Sequence, residues 1–97
     1  MTNRTGAVRL SGFLHCASIE DVELVVRHLP EHIRLTRAEP GCLSFEVSQT
    51  DDPLIWRVEE LFIDRGAFDF HQQRTRASEW FVSTSTIPRD YEITTLA

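Results

Sequence analysis

From residue 55 to 62 the chain reads IWRVEELF, and its side chains alternate. Trp56, Val58, Glu60 and Phe62 share one side of an extended strand, and Ile55, Arg57, Glu59 and Leu61 share the other. The first set is apolar except for Glu60, which therefore points where a core is expected. AVRLSGFLHC alternates in the same way and predicts the first strand, with Val8, Leu10, Gly12 and Leu14 on one face and Arg9, Ser11, Phe13 and His15 on the other. After Ser18 the period changes. Ser18 followed by Asp21 resembles a helix start, and the segment to about Ala38 carries Val22, Val25, Val26, Leu29, Ile33 and Thr36 at helical spacing, a nearly pure apolar stripe. Pro30 removes a backbone donor from its middle, so a kink, or two short helices meeting end to end, is expected there.

In EPGC, Pro40 and Gly41 suit the central positions of a type II turn, and CLSFEVSQ follows as the second strand. TDDP separates it from the third, Ile55 to Phe62. Asp64 can cap a second helix from about Arg65 to Val82, STSTIPRD reads as a loop and YEITTL as a short final strand. The order β-α-β-β-α-β predicts an α+β, ferredoxin-like fold, an antiparallel sheet with two helices on one face.

Composition narrows the function classes. A chain of 97 residues with 41% hydrophobic content supports one core. The net charge is -5 and there is no lysine, so no basic stripe is available for phosphates and nucleic acid is not an expected partner. No apolar run approaches the roughly 20 residues that cross a bilayer, and MTNRTGAVRL lacks a signal-peptide core, so a cytoplasmic protein with no membrane partner is expected. Cys16 and Cys42 stand outside any C-x-x-C motif and fit buried thiols in a reduced compartment, although a redox pair stays open.

The chemistry concentrates on the second helix. At about 100° per residue its most apolar arc runs through Ala77, Phe70, Phe81, Ala67, Val82 and Phe68. His71, Arg74 and Ser78 fall inside that arc, lined up by spacings of three and four. A buried carboxylate without partners is costly, so Glu60 is expected to face Arg74, His71 or a cavity holding a polar ligand. A structural Glu60–Arg74 ion pair fits the same residues. His28 and His32 flank Pro30 with no third ligand, which reads as surface histidines rather than a metal site. Trp80 lies on the other side of the helix from His71 and is expected to pack against the final strand or a partner subunit.

TRAEPGCLSFEV, then WRVEELFID, then His71 seven residues after Asp64, resembles the antibiotic biosynthesis monooxygenase family, quinol monooxygenase-like members of the dimeric α+β barrel superfamily. The resemblance covers the middle two thirds of the chain and implies a single domain of this kind over residues 1–97. It also implies a homodimer paired sheet to sheet, a pocket between helices and sheet, and, for some members, oxygenation of quinols or anthrones without metal, flavin or haem. Glu60, Phe62 and His71 match the family's glutamate, its following aromatic and its helix-two histidine. A second histidine that many members carry about five residues on is replaced by Arg76, and the histidine of haem-degrading relatives by Trp80 and Phe81, so haem is disfavoured.

Together these residues support a cofactor-independent monooxygenase acting on a small aromatic quinol, anthrone or polyketide-like substrate with O2. In that reading His71 is the base, Arg74 stabilises a phenolate, and Glu60 orients His71 or accepts a substrate hydroxyl. Phe45, Phe62 and Phe68 form aromatic walls, and Ser78 joins the polar stripe that lines the site. No metal and no cofactor is expected. The resemblance equally allows an isomerase of a small carbonyl or sugar-phosphate compound, and fold analogy a binding module without catalysis.

Overall fold

The computed structural model describes residues 5–97, so the reading of the first residues as free of a leader core falls partly outside it. The elements are β1 (Val8–His15), α1 (Ile19–Arg37), β2 (Cys42–Gln49), β3 (Ile55–Phe62), α2 (Arg65–Arg76), α3 (Glu79–Thr84) and β4 (Arg89–Thr95). The strands form one antiparallel sheet in the order β2-β3-β1-β4. Alternation places Val8, Leu10 and Leu14 of β1 and Trp56, Val58, Glu60 and Phe62 of β3 in the buried layer. The ferredoxin-like plan expected from the sequence is therefore present, but the barrel is not. β2 and β4 are the two edges of an open sheet, held apart by β3 and β1, and closure would require those edges to pair.

α1 starts where Ser18 accepts a hydrogen bond from the Asp21 amide while Asp21 Oδ2 accepts one from the Ala17 amide at 2.9 Å. It runs unbroken through Pro30 as one helix. Its buried positions are Val22, Val25, Leu29, His32 and Thr36, while Val26 is exposed. The stripe thus follows a spacing of three and four that carries Thr36 inward as expected and brings His32 with it, against the expectation of an almost purely apolar face.

The expected long second helix is two helices. Asp64 caps α2 through the Ala67 amide (2.8 Å), but Ser78, expected within a continuous helix, caps α3 through the Phe81 amide (3.2 Å). Phe70 stands on the exposed face of α2, and beyond the break Val82 is exposed while Trp80 turns inward.

Two glycines are required by space. A Cβ on Gly12 would run into the Asp90 carbonyl of β4, and one on Gly41 into the Ala67 Cβ of α2. Gly41 has no positive φ, so the turn expected at Pro40-Gly41 is not type II, which needs φ above zero there. Just beyond it, β2 shifts register between Cys42 and Ser44: Cys42 pairs with Phe62, Ser44 with Leu61 and Phe45 with Glu60. Leu43 is the extra residue of this bulge, which lets Cys42 and Phe45 share the inner face despite their odd spacing. Both cysteines are free thiols, pushed above their ordinary pKa first by burial.

Candidate active site

Helical spacing from the Asp64 cap puts Phe68, His71 and Thr75 on the inner side of α2, and His71, only 1% exposed, becomes the hub of a polar layer between helices and sheet. Its Nδ1 lies 3.0 Å from Oε2 of Glu39, in the loop between α1 and β2. A carboxylate only accepts, so Nδ1 carries the proton and donates it. In the neutral ring this leaves Nε2 as an acceptor, which takes a hydrogen bond from the Thr75 hydroxyl at 3.3 Å and lies 3.6 Å from Glu60 Oε1. The second distance is too long for a hydrogen bond. Phe62 stacks on the imidazole at 4.8 Å and Phe45 meets it edge-on at 5.9 Å, fixing the ring plane.

Glu39 Oε2 also accepts from Nε of Arg74 at 2.6 Å, and Arg74 Nη2 donates to Thr36 Oγ1 at 2.8 Å. Arg74 is thus paired with Glu39 rather than with Glu60, and the structural ion pair allowed by the sequence has a different carboxylate. Glu39 itself escaped sequence reasoning. It lies in a turn, where no periodicity assigns a face, and only its place beside Pro40 and Gly41 marked it.

Glu60 Oε1 is buried with no hydrogen-bond partner among the described residues. Burial, and then the Glu39 charge, push its pKa up to about 8, so the carboxyl is mainly protonated at neutral pH. His71 is held below the ordinary histidine value, because burial outweighs the opposing hydrogen bond it donates to Glu39. The two groups therefore face one another across 3.6 Å as a neutral base and a neutral acid.

A cavity of about 260 Å³ adjoins this pair. Leu10, Trp80, Phe81 and Tyr91 supply its apolar wall, and Arg89 lines it from β4. The Arg89 guanidinium is fixed by donating to the Thr84 and Ile87 carbonyls, both at 2.8 Å, and lies 5.8 Å from the Trp80 ring centre. Phe45, Phe62 and Phe68, expected as substrate walls, pack instead around His71 and each other, outside the cavity lining. Ser78 is likewise outside it: its hydroxyl donates to the Thr75 carbonyl at 2.6 Å.

Trp80 stacks on His32 of α1 at 5.1 Å and 8°. His32, expected at the surface, is 4% exposed and lines the same cavity. The signal that would have placed it is the 22-25-29-32-36 spacing of α1. Among the described residues there is no group of three or more His, Cys, Asp or Glu side chains placed to hold a metal ion, and no helix is long and apolar enough to cross a membrane.

Residues 17–82 match the family model described as antibiotic biosynthesis monooxygenase. No curated protein matches the sequence. Among solved structures, the chain is similar to a candidate antibiotic biosynthesis monooxygenase from Nitrosomonas europaea, with 16% identity, TM-score 0.81, and 98% and 94% of the two chains covered. It is similar to another so described from Deinococcus radiodurans, with 22% identity, TM-score 0.76, and 93% and 92% covered. A conserved protein from Methanosarcina mazei Go1 matches at 22% identity and TM-score 0.77, over 97% and 96% of the chains.

Proposed function

The chain belongs to the antibiotic biosynthesis monooxygenase family, and from that premise we propose that it is a cofactor-independent monooxygenase of small aromatic quinols or related anthrone and polyketide-like phenols. The observation that carries the reading is the unprotonated Nε2 of His71, its ring fixed by Glu39 from behind, 3.6 Å from a Glu60 carboxyl that burial keeps protonated, beside an aromatic-lined cavity. An apolar cavity of roughly 150 Å³ takes a benzene ring, so about 260 Å³ has room for a fused bicyclic phenol.

A phenolic hydroxyl lying between Nε2 and Glu60 replaces the Thr75 hydroxyl as donor to the imidazole and accepts from the carboxyl. His71 takes the proton, and the Glu60 O–H stabilises the phenolate oxygen as a neutral acid kept protonated by burial. The phenolate gives one electron to O2, and the phenoxyl and superoxide radicals recombine at a ring carbon as a peroxide. The imidazolium returns its proton to the distal oxygen. His71 then removes the hydrogen of that carbon as the O–O bond breaks, leaving a carbonyl, and the departing hydroxide takes this proton as water. One oxygen atom enters the product, the other becomes water, and both side chains end as they began. Arg74 acts through Glu39, not on the substrate.

The test is oxygen uptake by purified protein with a panel of naphthols, quinols and anthrones, with chelator present and no cofactor added. Uptake with quinone formation, lost in His71→Ala at unchanged circular dichroism, is expected. Exchange of ketone α-protons without oxygen uptake would replace the oxygenase by an isomerase. A homodimer is also proposed, through the outer sheet face where Phe13, Ile55 and Leu61 stand half-buried beside the Ser11–Glu59–Arg57 contacts. Light scattering at micromolar concentration checks it, and a monomer would count against it.

A further inference from the structure

Two residues that line the cavity, from opposite layers of the fold, each bury a polar atom that has no partner among the described residues. One is Oε1 of Glu60 on β3, and the other is Nδ1 of His32 on α1. Both side chains are more than nine-tenths buried. Leaving a buried donor or acceptor unmet costs about 1 to 3 kcal/mol, so two residues with such atoms, both lining this cavity, mark where a ligand's own polar groups can complete the hydrogen bonding.

We propose that His32 is a substrate-recognition residue, and that with Glu60 it selects aromatic ligands carrying two oxygens over those carrying one. The inference rests on the proposed chemistry only for the role of the first oxygen, the one held between His71 and Glu60. The second oxygen belongs to His32. The imidazole is well placed for this task because three ring contacts fix its position: the Trp80 stack at 5.1 Å, the Phe45 edge at 5.4 Å and the His71 ring at 5.7 Å. Burial and the nearby His71, Arg74 and Arg89 push its pKa down to about 3, so it stays neutral across the physiological range and offers one donor and one acceptor. A ligand hydroxyl, which both donates and accepts, fits either tautomer. A site built to bond a hydroxyl discriminates strongly against the analogue that lacks it.

The experiment is anaerobic titration of the full chain, followed by tryptophan fluorescence, with 1-naphthol, 2-naphthol and a set of dihydroxynaphthalenes. The wild type is expected to bind the best-fitting diol roughly tenfold more tightly than either naphthol. His32→Phe keeps a ring against Trp80 and removes both nitrogens, so the preference for the diol over the naphthols should be lost. In parallel, 15N spectra of histidine-labelled wild type should show the His32 ring nitrogens moving with the diol and not with the naphthols, a readout that needs no variant. A diol preference retained in His32→Phe, or His32 signals unmoved by a diol that binds, overturns the proposal. So does a wild type that binds diol and naphthol equally. Loss of the preference in His32→Phe together with no oxygen uptake by the wild type would support recognition by His32 while removing the monooxygenase reading.

Discussion

Replacing Glu60 by Gln keeps the shape of the side chain and removes its ability to ionise, so it isolates the cost of burying this carboxyl. Below its unfolded value of 4.5 the group is protonated in both states and has no effect. Above it the unfolded chain ionises while the folded chain holds its proton until about pH 8. The unfolded state then binds fewer protons, and stability falls as pH rises, by about 1.4 kcal/mol per pH unit. Carried from 4.5 to about 8, this corresponds to an upper bound of about 5 kcal/mol, a large part of a small domain's total stability. His32 works in the opposite sense: its folded value is pushed from 6.5 down to about 3, so its stability contribution is lost as pH falls below 6.5. His71, shifted in the same direction, adds to that loss. Wild-type stability should therefore peak near pH 6.5 and decline toward pH 8, where Glu60 dominates. Urea denaturation of both proteins from pH 5 to 9, followed by fluorescence, tests this. Glu60→Gln should be flat from 6.5 to 8, and its advantage over wild type should grow by several kcal/mol between pH 5 and 8. Parallel curves for the two proteins would refute the reasoning, because they would mean that Glu60 ionises in the fold as it does in the unfolded chain.

The same pair shapes the rate. Turnover should rise with pH as His71 loses its proton, with a midpoint below 6.5, and fall near pH 8 as Glu60 ionises, and Glu60→Gln should remove the alkaline fall in a pH–rate profile. Glu39→Gln should lower turnover at least about tenfold and move the acid limb to lower pH, since the lost hydrogen bond was raising the His71 value. Arg74→Met leaves the Glu39 carboxylate with His71 alone and should cost about 3 kcal/mol in urea denaturation, the low end for a broken buried pair, because the arginine side chain is 23% exposed. Gly12→Ala drives a Cβ into the Asp90 carbonyl and should cost about 1 to 3 kcal/mol, with hydrogen exchange accelerating first in β4.

What the chain order revealed was what period encodes. Alternation located β1 and β3 and singled out Glu60 as a polar interruption of an inner face, and helical spacing brought His71 and Arg74 inward together. Glu39 was hidden because a turn residue has no period, and its partners are 32 and 35 positions away in the chain. His32 was hidden by its chemistry: a histidine next to proline reads as solvated unless the whole stripe of α1 is followed through it. The break at Ser78 was written locally as a cap residue before Glu79, but the apolar arc running on through Phe81 and Val82 outweighed it. The barrel came from resemblance alone, and nothing in the strand patterns required the edges to meet.

The bulge at Leu43 divides the structure into two independently indexed parts. On one side the chain leads back through Gly41, pressed against α2, to the carboxylate behind His71; on the other it carries Phe45 against the edge of the same ring. Deleting one residue here would restore regular pairing and keep only one side in phase: either Phe45 stays and Glu39 is drawn away from Nδ1, or Glu39 stays and Phe45 turns outward. A single-residue deletion at this point is thus a phase error for the imidazole rather than a shortened loop, and length variation should be tolerated between β2 and β3 but not here.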